Sequence, residues 1–441
     1  MWLGVHSIYS RRRRLQPVHQ MDQHFSTIPA SGTPHCRYCG SALHDTFTDL
    51  GMSPLCETFL APGELACAET FYPLHVLVCR ECFLVQLQEF VSPETIFSEY
   101  AYFSSYSDSW LLHAKAYAGK MIDRFGLNEN SLVVELASND GYLLQYFVGR
   151  AIPVLGIEPA ANVAREAIRK GVPTLVKFFG LALADELARE GKQADLIAAN
   201  NVLAHVPDLR GFVGGMKALL KPQGVITVEF PHLMRLMERN QFDTIYHEHF
   251  SYFSFLTSSE IFRNFGLEVF DVEELSTHGG SLRIYARHAK DGTHPVTERV
   301  RELALREQAA GFMRMDTYRS FDEQVKQCKR NILAFLIDVK EAGKSVAGYG
   351  APGKGNTFLN YCGLRSDFID YTVDRNPYKH GKYLPGTHVP VFHPDKIRET
   401  RPDYVLILPW NLKDEISRQL SYVRGWGGKL LVAIPDVEVL E

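Results

Sequence analysis

The chain has 441 residues, 46% of them hydrophobic and 12% aromatic, which is enough apolar material for two or three domains with cores of their own. Lysine plus arginine number 47 against 51 acidic residues, and a net charge of -4 gives no electrostatic reason to expect a nucleic-acid partner. No apolar run reaches the length needed to span a bilayer, so no membrane helix is expected.

Residues 1–23 carry the run Arg11-Arg12-Arg13-Arg14 but lack the apolar segment of a secretory signal, and they read as a disordered tail, with Met21 as an alternative start. The first domain is expected over residues 24–98. Cys36-Arg37-Tyr38-Cys39 and Cys79-Arg80-Glu81-Cys82 are two Cys-x-x-Cys pairs, each matching a knuckle that aims two thiolates at one ion. Four thiolate ligands leave no open coordination position, so the expected zinc is structural. This use of cysteine fits metal binding in a reducing, cytoplasmic compartment better than a disulfide framework. Cys56, Cys67, Cys328 and Cys362 have no partner spacing and read as small apolar residues. The apolar runs Leu74 to Val78 and Phe83 to Leu87 predict short strands beside the second knuckle.

The middle domain, residues 99–290, begins with Tyr100-Ala101-Tyr102-Phe103-Ser104-Ser105-Tyr106. Packing between modules is the first reading of this aromatic stretch, and a substrate-facing tyrosine is the alternative. Strands and helices then alternate as in a doubly wound α/β sheet. Leu132 to Leu136 predicts a buried strand, followed by a small-residue turn with Ala137, Asn139 and Gly141 and then a helix, the place where an open sheet binds a nucleotide-like ligand. The glycine fingerprint is incomplete and no lysine is placed for a P-loop, which disfavours phosphate. Val154 to Glu158 is a second strand whose terminal acid is placed for both hydroxyls of a ribose. Asp195 to Ala199 leads into Asn200 and His205; from the residues alone, His205 reads equally as a loop or core histidine. Gly224 to Phe230 is a fourth strand, and Leu267 to Val272 with Ser281 to Arg287 are expected to finish the sheet as an antiparallel pair.

Tyr246-His247-Glu248-His249 packs four proton-handling groups into one short segment. Extended backbone would separate Tyr246 and Glu248 from the two histidines, whereas a turn would let Tyr246, Glu248 and His249 converge. A phenol, a carboxylate and an imidazole together suit removal of a proton beside a carbonyl. The plainer alternatives are a His-x-His metal pair or polar groups capping a core segment.

Residues 291–343 are charge-rich with helical spacing and predict a helical connector. Residues 344–441 predict a second Rossmann-like unit: a strand, a glycine-rich turn in which Gly348, Gly350 and Gly353 satisfy G-x-G-x-x-G, a helix start with Lys354 and Asn356, and a strand ending in Asp374. Backbone donors around Gly350 and Lys354 can meet a pyrophosphate at the helix N-terminus; a purely structural turn is the alternative.

Glu135, Gly141, Glu158 and Asn200 fall where class I S-adenosylmethionine-dependent methyltransferases bind their cofactor, and the chain resembles that class. The Glu-x-Ala-Ser-Asn-Asp-Gly loop, the Tyr-His-Glu-His segment and His278-Gly279-Gly280-Ser281-Leu282-Arg283 narrow the resemblance to the C-methyltransferases of deoxysugar biosynthesis, which act on carbon 3 of a nucleotide-linked 4-keto-hexose. It runs from the knuckles to the C-terminus. It implies a class I methyltransferase domain flanked by a zinc-ribbon-like domain and a Rossmann-like domain without a cofactor, using S-adenosylmethionine and a structural zinc. By the same resemblance His249 removes the proton, Tyr246 and Glu248 assist, and Tyr100 and His205 line the sugar. Glu135, Ala137, Asn139, Gly141, Glu158 and Asn200 bind the cofactor, while Gly280, Gly350, Lys354 and Asn356 meet a small sugar-nucleotide substrate. A monomer is expected. The rivals are an NAD-dependent oxidoreductase using the second glycine fingerprint, and a non-catalytic zinc-containing binding protein.

Overall fold

The computed structural model describes residues 32–97, 104–106 and 108–440; the tail over 1–23 and Tyr100 lie outside them. The zinc-domain strands are β1 (Asp45–Ser53), β2 (Tyr72–Val78) and β3 (Val85–Leu87). The middle domain contributes β4 (Val133–Leu136), β5 (Val154–Ile157), β6 (Thr174–Leu175), β7 (Ala194–Asn200), β8 (Leu220–Pro231), β9 (Ser251–Tyr252), β10 (Leu267–Leu275) and β11 (Ser281–His288). The last domain adds β12 (Val346–Tyr349), β13 (Tyr371–Val373), β14 (Val391–Phe392), β15 (Tyr404–Ile407), β16 (Lys429–Val432) and β17 (Glu438–Leu440).

The central sheet has seven strands in the order β10-β11-β8-β7-β4-β5-β6. It is parallel except that β11 runs against both neighbours, which makes the expected antiparallel finish. Its β4, Val133-Val134-Glu135-Leu136, is buried at every position, as a parallel strand covered on both faces must be. The third sheet, β14-β13-β12-β15-β16-β17, is parallel up to an antiparallel β17. The expected connector is three helices, Glu298–Ala309, Met315–Arg319 and Phe321–Glu341. Among the described residues no helix is long and apolar enough to cross a membrane.

The first sheet breaks the tidy division. Its order is β1-β2-β3-β9, so a strand from the middle domain closes the zinc domain's sheet through Val85↔Tyr252 and Gln86↔Ser251. The same sheet feeds a hydrophobic core that continues into the connector and the last domain: Phe47 stacks on Phe321 at 4.7 Å, and Ile332, Val346 and Leu406 belong to that core. Three sheets thus meet around the segment that precedes β9.

Candidate active site

The loop after β4 is held in an unusual backbone state. Ala137, Asn139 and Gly141 have φ of 57°, 49° and 76°, three left-handed residues in alternation. Gly141 is required there twice over, since a Cβ would also come within 3.0 Å of Val172 Cγ2. The helix that follows is only Gln145–Val148, shorter than the sequence pattern suggests, because most of the apolar stretch is spent on successive turns. Glu158, at the end of β5, accepts hydrogen bonds from the Asn139 backbone at 2.9 Å and the Ala160 backbone at 2.8 Å, tying the loop to the neighbouring strand. Each of its oxygens keeps a further lone pair. Burial raises the Glu158 carboxyl above its ordinary pKa, against those two bonds. Burial also pushes Glu135 well up, opposed by the Tyr142 hydroxyl. Asn200 ends β7, with its Oδ1 buried and without a hydrogen-bond partner among the described residues. A left-over acceptor and a carboxylate at the carboxyl ends of β7 and β5, the two parallel strands that flank β4, fit a nucleoside-like cofactor.

The two knuckles converge. Cys36 Sγ lies 3.6 Å from Cys82 Sγ and Cys39 Sγ 3.4 Å from Cys79 Sγ, and all four ligand atoms lie within 4.8 Å of one another. A tetrahedral zinc with sulfurs at about 2.3 Å sets them about 3.8 Å apart, so these residues fit that ion. Among the described residues this is the one cluster of three or more metal-ligating side chains.

The segment Tyr246–Phe250 is a turn, closed by the His249 backbone N–H on the Tyr246 carbonyl at 2.9 Å. It brings Tyr246 and His249 together, with ring centroids 4.1 Å apart at 32°, and sets His205 at 4.7 Å from His249. His249 Nδ1 lies 2.8 Å from the Thr244 carbonyl, which can only accept; Nδ1 therefore carries the proton and Nε2 the lone pair. Burial, and then His205, hold the His249 pKa well below its ordinary value, and His278 and Lys354 add to this. Burial takes His205 and His278 down to about 4. Glu248 does not follow its neighbours. Its carboxyl meets the Cys56 thiol at 3.9 Å, and burial and then Glu57 raise it to about 7. His247 turns away to the Pro73 carbonyl at 3.2 Å and the Tyr72 ring, so the metal-pair alternative fails: the two imidazoles serve different neighbours.

The glycine-rich turn of the last domain is filled by the protein itself. A Cβ at Gly350 would come within 2.6 Å of Pro409 Cδ, and one at Gly353 within 2.8 Å of Cys56 Sγ and 3.2 Å of Glu57 Oε1. Glu57 accepts from the Gly353 backbone, and Asn356 donates to the Cys56 carbonyl at 2.6 Å. Asp374 accepts from the Ala351 backbone at 2.7 Å and the Asn376 backbone at 2.8 Å. A carboxylate from the zinc domain thus occupies the helix N-terminus where a dinucleotide's phosphate would sit. Gly280 likewise packs against protein, with Arg235 Cγ 2.9 Å from the position of a Cβ. Lys354 is placed differently: it bonds Asn411 at 2.7 Å, lies 4.8 Å over the Trp410 ring, and is close enough to His249 and His278 to disfavour their protonation.

Residues not singled out from sequence complete this cleft. His278 adopts a left-handed φ of 54°, a costly state for a side-chain-bearing residue, and keeps solvent contact although protein surrounds it. Trp110 bridges the cofactor loop and the cleft, stacking on Tyr142 at 6.0 Å and meeting the His278 ring edge-on at 5.3 Å. Trp410 donates to Asp243 at 2.7 Å and joins the last domain to the turn before Tyr246. The unusual His-Gly-Gly run was the one available signal for His278; nothing local marks Trp110 or Asp243.

Three family models match the chain. Residues 276–435 match a family model described as C-methyltransferase C-terminal domain, residues 36–97 a zinc binding domain and residues 110–272 a methyltransferase domain. The chain is 37% identical over 408 residues to C-methyltransferase NovU of Streptomyces niveus, covering 92% of this chain and 96% of that protein. It is 27% identical over 101 residues to the ubiquinone biosynthesis O-methyltransferase of Bartonella tribocorum, covering 23% of this chain and 41% of that one. A solved structure of PH0226 protein from Pyrococcus horikoshii OT3 is similar with a TM-score of 0.36 and 14% identity, covering 45% of this chain and 99% of that one.

Proposed function

This chain belongs to the C-methyltransferase family, an S-adenosylmethionine-dependent enzyme with a zinc-binding domain, and on that premise we propose that it methylates carbon 3 of a nucleotide-linked 4-keto-deoxyhexose through an enolate. When bound, S-adenosylmethionine supplies an electrophilic methyl group; the residues' task is to make a carbon nucleophile for it. A carbon beside a ketone is a poor acid, so removal of its proton needs a base and a donor to the developing oxyanion at the same place. The observation that carries the reading is His249, with Nδ1 committed to Thr244, a lone pair on Nε2, and the Tyr246 phenol against its face.

In this reading Nε2 of His249 takes the carbon-3 proton and the Tyr246 hydroxyl donates to the enolate oxygen. Glu248 keeps a proton near neutral pH and assists from the Cys56 side, while neutral His205 borders the sugar. Glu158 and the Ala137–Gly141 loop hold the cofactor's nucleoside, and Asn200 and Glu135 complete its pocket. Lys354 meets the substrate's diphosphate as a cation at the cleft wall. An anion bound there would offset the lysine charge, so substrate binding would itself make His249 a stronger base.

The test is solvent isotope exchange. With a 4-keto-deoxyhexose nucleotide and S-adenosylhomocysteine in deuterium oxide, the enzyme should wash deuterium into carbon 3 without methylation, and His249→Asn should abolish the exchange. Methylation of such a substrate by His249→Asn at the parental rate would remove the assignment.

A further inference from the structure

We propose that Arg37, between the zinc ligands Cys36 and Cys39, is a positioning residue that sets the two histidine-bearing segments of the active site from the zinc knuckle; this rests on the reading of His205 and His249 given above. Arg37 reaches both segments. One guanidinium nitrogen donates to the Pro207 carbonyl at 3.3 Å, two residues beyond His205, and another donates to the Leu87 carbonyl in β3. The guanidinium lies 5.5 Å over the ring of Phe250, the residue after His249.

The backbone closes the ring of contacts. The Phe250 N–H donates to the Ala204 carbonyl at 2.7 Å, directly before His205, and the Leu87 N–H donates to the Phe250 carbonyl at 3.0 Å. A single planar fork therefore spans the His205 loop, the His249 turn and the zinc domain's sheet, a task a lysine's point charge cannot repeat. The metal end is tied in as well: the Arg37 N–H donates to Gln86 Oε1 at 2.9 Å, and Gln86 Nε2 lies 3.2 Å from Cys36 Sγ. The 4.7 Å approach of His205 and His249 is thus framed by residues whose common anchor sits inside the knuckle. Arg37 acts through these neighbours, on where the base stands.

The experiment uses the full zinc-loaded chain labelled at histidine Cε1, with the His205 and His249 signals assigned by His205→Asn and His249→Asn. In Arg37→Gln, one zinc per chain and the parental affinity for S-adenosylhomocysteine should be kept. The His205 and His249 signals should shift or broaden, while those of His388 and His393 stay in place. Turnover should fall about 10-fold to 100-fold at unchanged KM for S-adenosylmethionine, the cost of a slightly misplaced base. Arg37→Lys should fall between. Should Arg37→Gln lose zinc or fail to fold, Phe250→Leu, which removes the ring under the guanidinium, should move the same two signals. Parental signals for both histidines in whichever variant folds overturn the proposal. Shifted signals with parental turnover leave the clamp standing and overturn the assignment of the histidines instead.

Discussion

His249 places its Nδ1 proton on the carbonyl of Thr244 at 2.8 Å, and this bond decides which nitrogen of the ring is basic. Thr244 ends a short helical turn, Phe242–Thr244, that the last domain holds in place. Trp410 donates to Asp243 at 2.7 Å, and the Thr357 hydroxyl donates to the Ile245 carbonyl at 3.0 Å. The second Rossmann-like unit therefore fixes the backbone that orients the His249 ring.

If Nε2 of His249 is the base and Tyr246 the oxyanion donor, the two substitutions differ in kind. His249→Asn should abolish methylation and leave S-adenosylmethionine affinity unchanged. Tyr246→Phe should lower turnover by about 10²–10³, as loss of one oxyanion donor does. Steady-state kinetics beside calorimetry separate the outcomes; a Tyr246→Phe enzyme at full turnover would show that the phenol only packs on the imidazole.

The zinc should be one per chain and bound by four thiolates. Cys79→Ser should lose most of the metal and lower the melting temperature. Because β9 pairs with β3, the loss should also reach residues just after His249. Metal analysis with hydrogen exchange over Phe250 to Phe253 checks both parts. A zinc-depleted protein with parental protection there would show that the sheet stands without the ion.

Much of this was legible in the sequence, because strand runs, knuckle spacing and the cofactor loop are local signals. Leu132 to Leu136 and the run from Val346 read as strands and form them, and the two Cys-x-x-Cys pairs read as one zinc site and converge. The fate of Glu248 was not legible. Spacing put it beside His249, but its partners, Cys56 and Glu57, lie far upstream and arrive by tertiary packing. The surroundings of Gly353 were not legible either: its pattern describes a phosphate cradle, and Glu57, distant in sequence, accepts from the Gly353 backbone there.

Glu158 links the cofactor loop to β5 through two backbone bonds. Glu158→Ala should weaken S-adenosylmethionine binding by about 1.5–3 kcal/mol if hydrogen bonds to a charged group are lost, and Glu158→Gln by less. Calorimetry measures this directly, and unchanged affinity in Glu158→Ala would place the ribose elsewhere.

Glu248 gives a prediction about pH with a definite sign. Its folded pKa of about 7 lies above the ordinary 4.5, so the folded protein keeps a proton that the unfolded chain releases. Folding stability is therefore lost as pH rises from about 4.5 towards about 7, and is level above that. Glu248→Gln keeps a neutral group of the same shape and escapes this cost. The variant should resemble the parent at pH 5 and exceed it at pH 8 by about 1–3 kcal/mol, the scale of an unfavourable buried polar group. Denaturant midpoints at the two pH values measure the gap. The rate carries a parallel sign: if the protonated carboxyl assists, parental turnover should fall as pH rises through about 7, and Glu248→Gln should lack that fall. An equal stability gain at both pH values would mean that the carboxylate's charge, held against Glu57, is not what the substitution removes.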